Sequence, residues 1–145
     1  MSAIVYQNRS DEWETPQDLF DELNAEFHFT LDAAASDACH KCDRYFTKEQ
    51  DGLSQNWGGE IVWCNPPYGK RVMDKWIEKA YRECRTDGTV VVLLIPARTD
   101  VAYFHRFILH RSEIRFIRGR LKYNNVKYNA PFSSMIVIFR GAERG

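Results

Sequence analysis

The sequence predicts an α/β fold, in which a mainly parallel central sheet has helices packed against it. Residues 89–95 form an unbroken run of β-branched and apolar side chains, which is typical of a strand covered on both faces. Apolar side chains recur at helical spacing over residues 72–84, and Gly88 is placed to end that helix. Strand and helix patterns alternate through the middle of the chain, and this alternation indicates parallel strands joined by helices.

The other elements follow in chain order. Thr15-Pro16 marks the start of a first helix, with Thr15 as the cap and Pro16 at the first helical position. The connection over residues 36–50 is too short for another helix and strand, so the fold is expected to be trimmed there. No internal repeat occurs, and residues 1–145 are expected to form a single domain. The remaining predictions are strands at residues 29–33, 61–63, 114–117 and 135–139, and a helix at residues 101–109.

Composition narrows the class of protein. The 20 basic and 20 acidic residues give a formal net charge of zero, which argues against binding nucleic acid through bulk charge alone. Basic residues nevertheless cluster over residues 111–127, where Glu113 is the single acid. The longest apolar run has only strand length, and residues 1–11 carry no signal-peptide pattern. These features predict a cytoplasmic protein with no membrane partner.

The cysteines are expected to be reduced thiols. The chain has four of them and enough apolar residues to build a core without disulfides. Cys39-His40-x-Cys42 invites a zinc hypothesis, but no second pair of ligands follows at a similar spacing. We therefore predict no metal site.

Two loops are expected to carry the chemistry, because ligands of such sheets bind at the carboxyl ends of strands. They are Asp32-Ala33-Ala34-Ala35-Ser36 and Asn65-Pro66-Pro67-Tyr68. An adenine amino nitrogen is a poor nucleophile because its lone pair is delocalised into the ring. The Asn65 side-chain oxygen and the Pro66 carbonyl are candidate acceptors for its two N–H bonds, which would free the lone pair.

The rest of the second loop suits the same task. The two prolines hold the backbone rigid and add no competing N–H donor. Tyr68 offers a flat face on which a base can stack. The alternative is an ordinary proline-rich turn after a strand, with Tyr68 as a packing residue.

Beyond this motif, the chain resembles the phage-type DNA N-6-adenine methyltransferase family, often called phage Dam. Asn-Pro-Pro-Tyr alone also occurs in enzymes that methylate glutamine side chains or RNA, but the whole set of matching segments is more specific. The segments are Glu12-Trp13-Glu14-Thr15-Pro16, Phe29-Thr30-Leu31-Asp32-Ala33-Ala34, Lys41-Cys42, Tyr45-Phe46-Thr47, Asp51-Gly52-Leu53, Val62-Trp63-Cys64-Asn65-Pro66-Pro67-Tyr68-Gly69, Ile95-Pro96-Ala97-Arg98-Thr99-Asp100, Phe116-Ile117-Arg118-Gly119-Arg120-Leu121 and Ala130-Pro131-Phe132.

The resemblance implies a trimmed Rossmann-like methyltransferase fold that binds S-adenosylmethionine. Asp32, which resembles the holder of the methionine amino group, would otherwise be a helix or turn cap. Asp51 resembles the acid that binds the adenine amine of the cofactor, and would otherwise be an ordinary turn aspartate. The full set of implied cofactor residues is Trp13, Thr15, Pro16, Asp32, Ala33, Asp51 and Asn65.

One departure from the pattern concerns the first loop. The superfamily usually carries glycines there, whereas this chain has Ala33-Ala34-Ala35. Alanine does not adopt a positive φ freely, so an unusual loop geometry is expected.

The implied substrate is adenine in double-stranded DNA. Phe132 is the candidate for stacking the flipped base opposite Tyr68, with core packing as its alternative. Arg118, Arg120 and Lys122 are candidates for contacts to the DNA backbone. The alternative is that they lie on a solvated strand edge. No protein partner is indicated.

The leading hypothesis is an adenine-specific DNA methyltransferase that protects phage or mobile-element DNA from cleavage, acting in the host cytoplasm if phage-encoded. A second hypothesis keeps the cofactor but takes protein glutamine or RNA as the acceptor. A third is a DNA-binding relic without activity.

Overall fold

The protein is described by a computed structural model over residues 13–69 and 71–141, so residues 1–11, which the signal-peptide argument concerned, lie outside the described part. The described elements are helix α1 (Gln17–Phe27), strand β1 (Leu31–Asp32), a 3₁₀ turn (Gly52–Ser54), strand β2 (Ile61–Cys64), helix α2 (Met73–Glu83), strand β3 (Val90–Pro96), a π-helical segment (Phe104–Ile108), and strands β4 (Glu113–Phe116) and β5 (Ser134–Arg140).

The strands form one mixed sheet in the order β1-β2-β3-β5-β4. β1, β2 and β3 are parallel, whereas β5 lies between β3 and β4 and is antiparallel to both. Strands β1, β2, β3 and β4 therefore run in the same direction, as expected for a mainly parallel sheet, whereas β5 runs in the opposite direction. The reason is local: residues 117–133 contain no helix that would carry the chain back across the sheet. This long loop consequently stays at the edge where β1, β2 and β3 end.

Each face of the sheet has its own hydrophobic core. Val91, Leu93 and Ile95 point to one face, where they pack with α2, the π-helical segment and Trp57. Val92 and Leu94 point to the other face and pack with α1 and with buried side chains of the 117–133 loop. Side chains alternate between the faces of a strand, so an unbroken apolar run supplies both cores at once. The predicted helices on a central sheet are confirmed.

The structure corrects several predicted boundaries. Thr15 is not the cap of α1: the helix begins at Gln17, Pro16 occupies the cap position, and no side chain caps the helix. The strand expected at residues 29–33 is only Leu31–Asp32, and the helix expected at residues 101–109 is π-helical over Phe104–Ile108. Between β1 and β2 the chain forms only the 3₁₀ turn and an isolated bridge from Asp32 to Tyr45, as the short connection predicted.

Within the described residues, no helix has both the length and the apolar character needed to cross a bilayer.

Candidate active site

A cavity of about 510 Å³ lies at the carboxyl ends of β1 and β2. Its size falls in the range of pockets that enclose small-molecule ligands. Both loops predicted to carry the chemistry line it, although Pro16 and Tyr68 are not among its lining residues. The predicted residues that do line it are Trp13, Thr15, Asp32, Ala33, Asp51, Asn65, Pro66 and Pro67.

Asn65 follows β2 and presents an acceptor that no other group of the described protein uses. Its amide nitrogen donates to the backbone carbonyl of Trp13 and, at 2.9 Å, to the Thr15 hydroxyl. A carbonyl can only accept, so the nitrogen must face Trp13 and the side-chain oxygen must point the other way. That oxygen is buried and has no hydrogen-bond partner among the described residues. A buried acceptor without a donor lowers the stability of the protein, so a ligand that donates an N–H to this oxygen would be favoured.

Tyr68 is held by a chain of hydroxyl groups. Its hydroxyl donates to the Leu94 carbonyl on β3 at 2.7 Å and lies 3.3 Å from the Tyr123 hydroxyl. The Tyr123 hydroxyl in turn lies 3.0 Å from that of Ser134. Burial raises the pKa of Tyr68 well above its ordinary value, which keeps the hydroxyl protonated and able to donate. The ring is therefore fixed to the sheet beside Pro67.

Phe132 lies against Tyr68 rather than facing it across a gap. Their ring centroids are 5.8 Å apart with an interplanar angle of 69°, an edge-to-face contact. Phe132 makes a similar contact with Trp13 at 5.1 Å, and Tyr123 completes a cluster of four aromatic rings. Because the rings of Phe132 and Tyr68 touch, a base can enter between them only if Phe132 moves.

The alanine-rich loop reaches its shape without glycine. Among the described residues with a positive φ, none is Ala33, Ala34 or Ala35. The alanines therefore replace the usual glycines without backbone strain. Asp32 holds the loop instead, because its buried carboxylate accepts from the N–H groups of Ala34 at 3.3 Å and Lys41 at 2.9 Å. Burial raises the pKa of Asp32. Asp32 thus acts as the turn cap that was its alternative role, while still lining the cavity.

Gly52 lets a second loop close on the first. A Cβ atom added at Gly52 would lie 2.2 Å from the backbone oxygen of Ala33, which is too close for two non-bonded atoms. Asp51 precedes it in the left-handed region, at φ 58°, and its carboxylate accepts from the Leu53 N–H at 3.2 Å. Asp51 is both an ordinary turn residue and an exposed wall of the cavity.

The basic stretch divides into two groups. Arg115 donates to Glu26 at 2.7 and 2.8 Å and to Glu113 at 2.7 Å, so it joins α1 to β4. Arg118, Arg120 and Lys122 are exposed on the 117–133 loop, at the edge of the sheet where the cavity opens. Lys122 also donates to the Val126 carbonyl at 3.2 Å.

The cysteines are free thiols in the described structure. Cys39 and Cys42 are half-buried, and burial raises the pKa of Cys42 to about 12. A thiol with so high a pKa is protonated at neutral pH and is a weak nucleophile.

Comparison with known proteins places this sequence in a family. The family model described as DNA N-6-adenine-methyltransferase (Dam) matches residues 2–144. The chain belongs to this family. It is 31% identical over 113 residues to the DNA N-6-adenine-methyltransferase of Escherichia phage T1, covering 77% of the chain and 46% of that protein. It is 28% identical over 109 residues to that of Haemophilus phage HP1 (strain HP1c1), covering 74% of the chain and 62% of that protein. The chain thus spans between about half and two thirds of these relatives.

The structure of this Dam family member also brings in residues that the sequence predictions missed. Lys41, Phe46 and Thr47 line the cavity and belong to segments that carried the family resemblance without an assigned role. Trp76 was attributed to the core face of a helix, and it also reaches the cavity. Asn125 lines the cavity from the 117–133 loop, where only a polar composition signalled it.

Proposed function

We propose that this chain transfers a methyl group from S-adenosylmethionine to the N6 amino group of adenine in double-stranded DNA. The observation that carries the proposal is the buried, unpartnered side-chain oxygen of Asn65 beside the cavity. The names of the family and of its phage relatives support the choice of acceptor. Helices on both faces and a ligand cavity at the carboxyl ends of β1 and β2 support a shortened Rossmann-like methyltransferase fold.

The cavity has features that fit the cofactor. Its lining residues include aromatic and carboxylate side chains, which suit a nucleoside joined to an amino acid. Asp32 and Ala33 would lie beside the methionine part and Asp51 beside the adenine amine, while Trp13 and Thr15 also line the cavity. When bound, S-adenosylmethionine supplies a methyl group on a positively charged sulfur.

Asn65 and the prolines would prepare the acceptor amine. The Asn65 oxygen accepts one N–H of the adenine amino group, and the Pro66 carbonyl is the proposed acceptor for the other. Accepting both N–H bonds localises the lone pair on nitrogen, so catalysis rests on positioning and polarisation rather than on a general base. Once the methyl group has been transferred, the amine loses one proton to water. Tyr68 stacks on the base after Phe132 has moved off its ring.

Arg118, Arg120 and Lys122 would hold the DNA strand that carries the flipped adenine. All three are exposed on the loop that surrounds the aromatic cluster. An adenine inside a duplex must leave the base stack before its amino group can enter such a site, and backbone contacts must hold the strand meanwhile.

A direct test is to incubate the chain with S-adenosylmethionine and unmethylated plasmid, digest the DNA to nucleosides and measure N6-methyladenine by mass spectrometry. Its appearance supports the proposal. Methyl transfer to protein or RNA without formation of N6-methyladenine would instead indicate that the acceptor is protein or RNA. Titration calorimetry with S-adenosylmethionine provides a second readout, since no binding at millimolar ligand would leave only a DNA-binding relic.

The variant Asn65→Ala removes the proposed acceptor. Methyl transfer should fall about 10²–10³-fold, the loss typical of deleting one polarising group from an active site. Affinity for S-adenosylmethionine should change only a few-fold. The matched control is Thr15→Val, which removes one acceptor of the Asn65 amide but leaves its oxygen and the Trp13 contact in place. Transfer by Asn65→Ala at the wild-type rate would contradict the role of the oxygen.

A further inference from the structure

The loop over residues 121–130 presents an aromatic side chain to solvent. Tyr128 is 78% exposed, although the ends of the loop are anchored. The Ala130 N–H donates to the Leu121 carbonyl at 2.7 Å and closes the loop. Tyr123 and Ala130 are buried in the core on the α1 side of the sheet. The loop is thus a fixed projection with Tyr128 on its outside.

Contacts to the chain around Asn65 place this projection at the mouth of the active site. The Asn124 N–H donates to the Glu14 carbonyl at 2.9 Å, and its side-chain amide donates to the Thr15 carbonyl at 3.2 Å. Thr15 is the residue whose hydroxyl receives the Asn65 amide. Phe132, four residues after Tyr128, lies against Tyr68.

The surroundings of Tyr128 are positively charged. No acidic residue occurs between Glu113 and the end of β5 at Arg140. Arg118, Arg120, Lys122 and Lys127 are all exposed in this interval. An exposed aromatic ring among cations suits a polyanion with stacked bases, because the cations hold the phosphates and the ring stacks on bases.

We propose that Tyr128 enters the DNA base stack and fills the space that the flipped adenine vacates; this rests on the function proposed above. A flipped nucleotide leaves a gap whose neighbours have lost their stacking partner, and inserted side chains commonly fill such gaps. Phe132 is unsuited to this task because it is half-buried against Trp13 and Tyr68. Tyr128 is accessible, and its loop lines the pocket through Asn125.

The fold also provides a matched control. Phe116 is 66% exposed and aromatic, but it ends β4, the outermost strand. Three strand spacings, about 14 Å, separate β4 from β2 and its Asn65 loop. Phe116→Ala should therefore leave methylation unchanged on every substrate.

The test compares two substrates that share one methylated site, chosen by mapping N6-methyladenine on plasmid. One is a duplex in which the target adenine is paired, and the other is the same strand alone, in which little stacking must be broken. Tyr128→Ala should lower methylation of the duplex about tenfold and of the single strand less than about twofold. Tyr128→Phe should keep both rates, because the ring does the stacking. The thermal midpoint should not change, since the side chain is exposed.

Each outcome discriminates. Equal losses on both substrates, or no loss on the duplex, would overturn the assignment of Tyr128 while leaving the proposed function intact. Loss of duplex activity in Phe116→Ala as well would point to a general surface effect and would also overturn it. A wild-type chain that forms no N6-methyladenine on any DNA would instead defeat the proposed function.

Discussion

Asn65 and Tyr68 belong to one short motif but are held by different parts of the chain. The amide of Asn65 is oriented by Trp13 and Thr15, about fifty positions earlier, whereas the hydroxyl of Tyr68 is held by Leu94 and Tyr123. The two prolines between them supply no N–H for such contacts. The motif is therefore a bend whose ends are anchored by hydrogen bonds from outside it.

The Tyr68 anchor predicts the effect of Tyr68→Phe. Losing the hydroxyl leaves the Leu94 carbonyl without that donor, which should lower the free energy of unfolding by about 1–3 kcal/mol. Methylation should fall less than in Tyr68→Ala, because the stacking ring remains. Chemical denaturation and nucleoside mass spectrometry measure the two effects. Tyr45→Phe, which removes a hydroxyl bonded at the surface to Asp37, is the control and should matter less for stability.

The same anchor has a defined pH dependence. The pKa of Tyr68 is raised in the folded protein, so the contribution of its hydroxyl is fully present below the ordinary pKa of tyrosine, about 10, and is lost only as pH rises through the folded-state pKa. The stability difference between wild type and Tyr68→Phe should accordingly be constant from about pH 6 to 9. A difference that disappears within this range would contradict the hydroxyl anchor.

At the scale of elements, the two cavity loops are shaped by mutual contact. Gly52→Ala places a methyl group where the Ala33 oxygen lies, so the loops must separate. Cofactor affinity, measured by calorimetry, should fall at least about tenfold, together with stability. Gly59→Ala is the control: its φ of 81° makes alanine strained, but no atom lies within 4 Å of the added carbon. It should cost about 1 kcal/mol of stability and leave cofactor affinity unchanged.

The contact between α1 and β4 tests how the basic stretch divides. Arg115→Gln should lower the free energy of unfolding by at most about 1 kcal/mol at pH 7, because the ion pair with Glu26 is partly exposed. The Arg115 hydrogen bonds lower the pKa of Glu26, so this contribution is present above the ordinary glutamate pKa and is lost as pH falls below it. The difference between wild type and variant should therefore shrink as pH falls through the lowered pKa of Glu26.

DNA affinity supplies the other half of that test. Arg115→Gln should bind DNA as the wild type does, whereas Arg120→Gln should bind more weakly and show a smaller dependence on salt, at unchanged stability. The reverse pattern would assign Arg115 to DNA and Arg120 to the fold.

Local patterns predicted what depends on local chemistry. The apolar periodicity of α2 and β3 predicted both elements, because a buried face must repeat with the period of its backbone. Thr15 does not cap the helix. Its hydroxyl instead accepts a hydrogen bond from the side-chain amide of Asn65, which is distant in sequence. The direction of β5 was missed because no sequence signal states that the 117–133 loop remains at one edge of the sheet.

The predictions about the site divide in the same way, between local motifs and tertiary contacts. The motif around Asn65 was recognisable because few residue types can polarise an amine at the end of a strand. Lys41 and Trp76 were assigned no part in the site, because each reaches the cavity from a different element and only tertiary packing brings them together.

Across the whole molecule, the segment Trp13-Glu14-Thr15 connects the proposed cofactor cavity with the 117–133 loop. It lines the cavity, orients Asn65, and is bonded to Asn124 and Asn125. A ligand that orders this segment from the cavity side should also order the loop that presents Tyr128. Such coupling is reciprocal: each ligand must strengthen binding of the other by the same factor.

The last prediction concerns this coupling. The product S-adenosylhomocysteine, which cannot react, should raise DNA affinity at least about fivefold, the lower range of measured couplings. In Asn124→Ala, which loses the side-chain bond to Thr15 but keeps the backbone bond to Glu14, the enhancement should shrink, although each ligand still binds alone. Fluorescence anisotropy of labelled duplex, with and without the product, measures it. If the wild-type chain binds DNA equally in both conditions, the segment holds the two sites in place without linking them energetically.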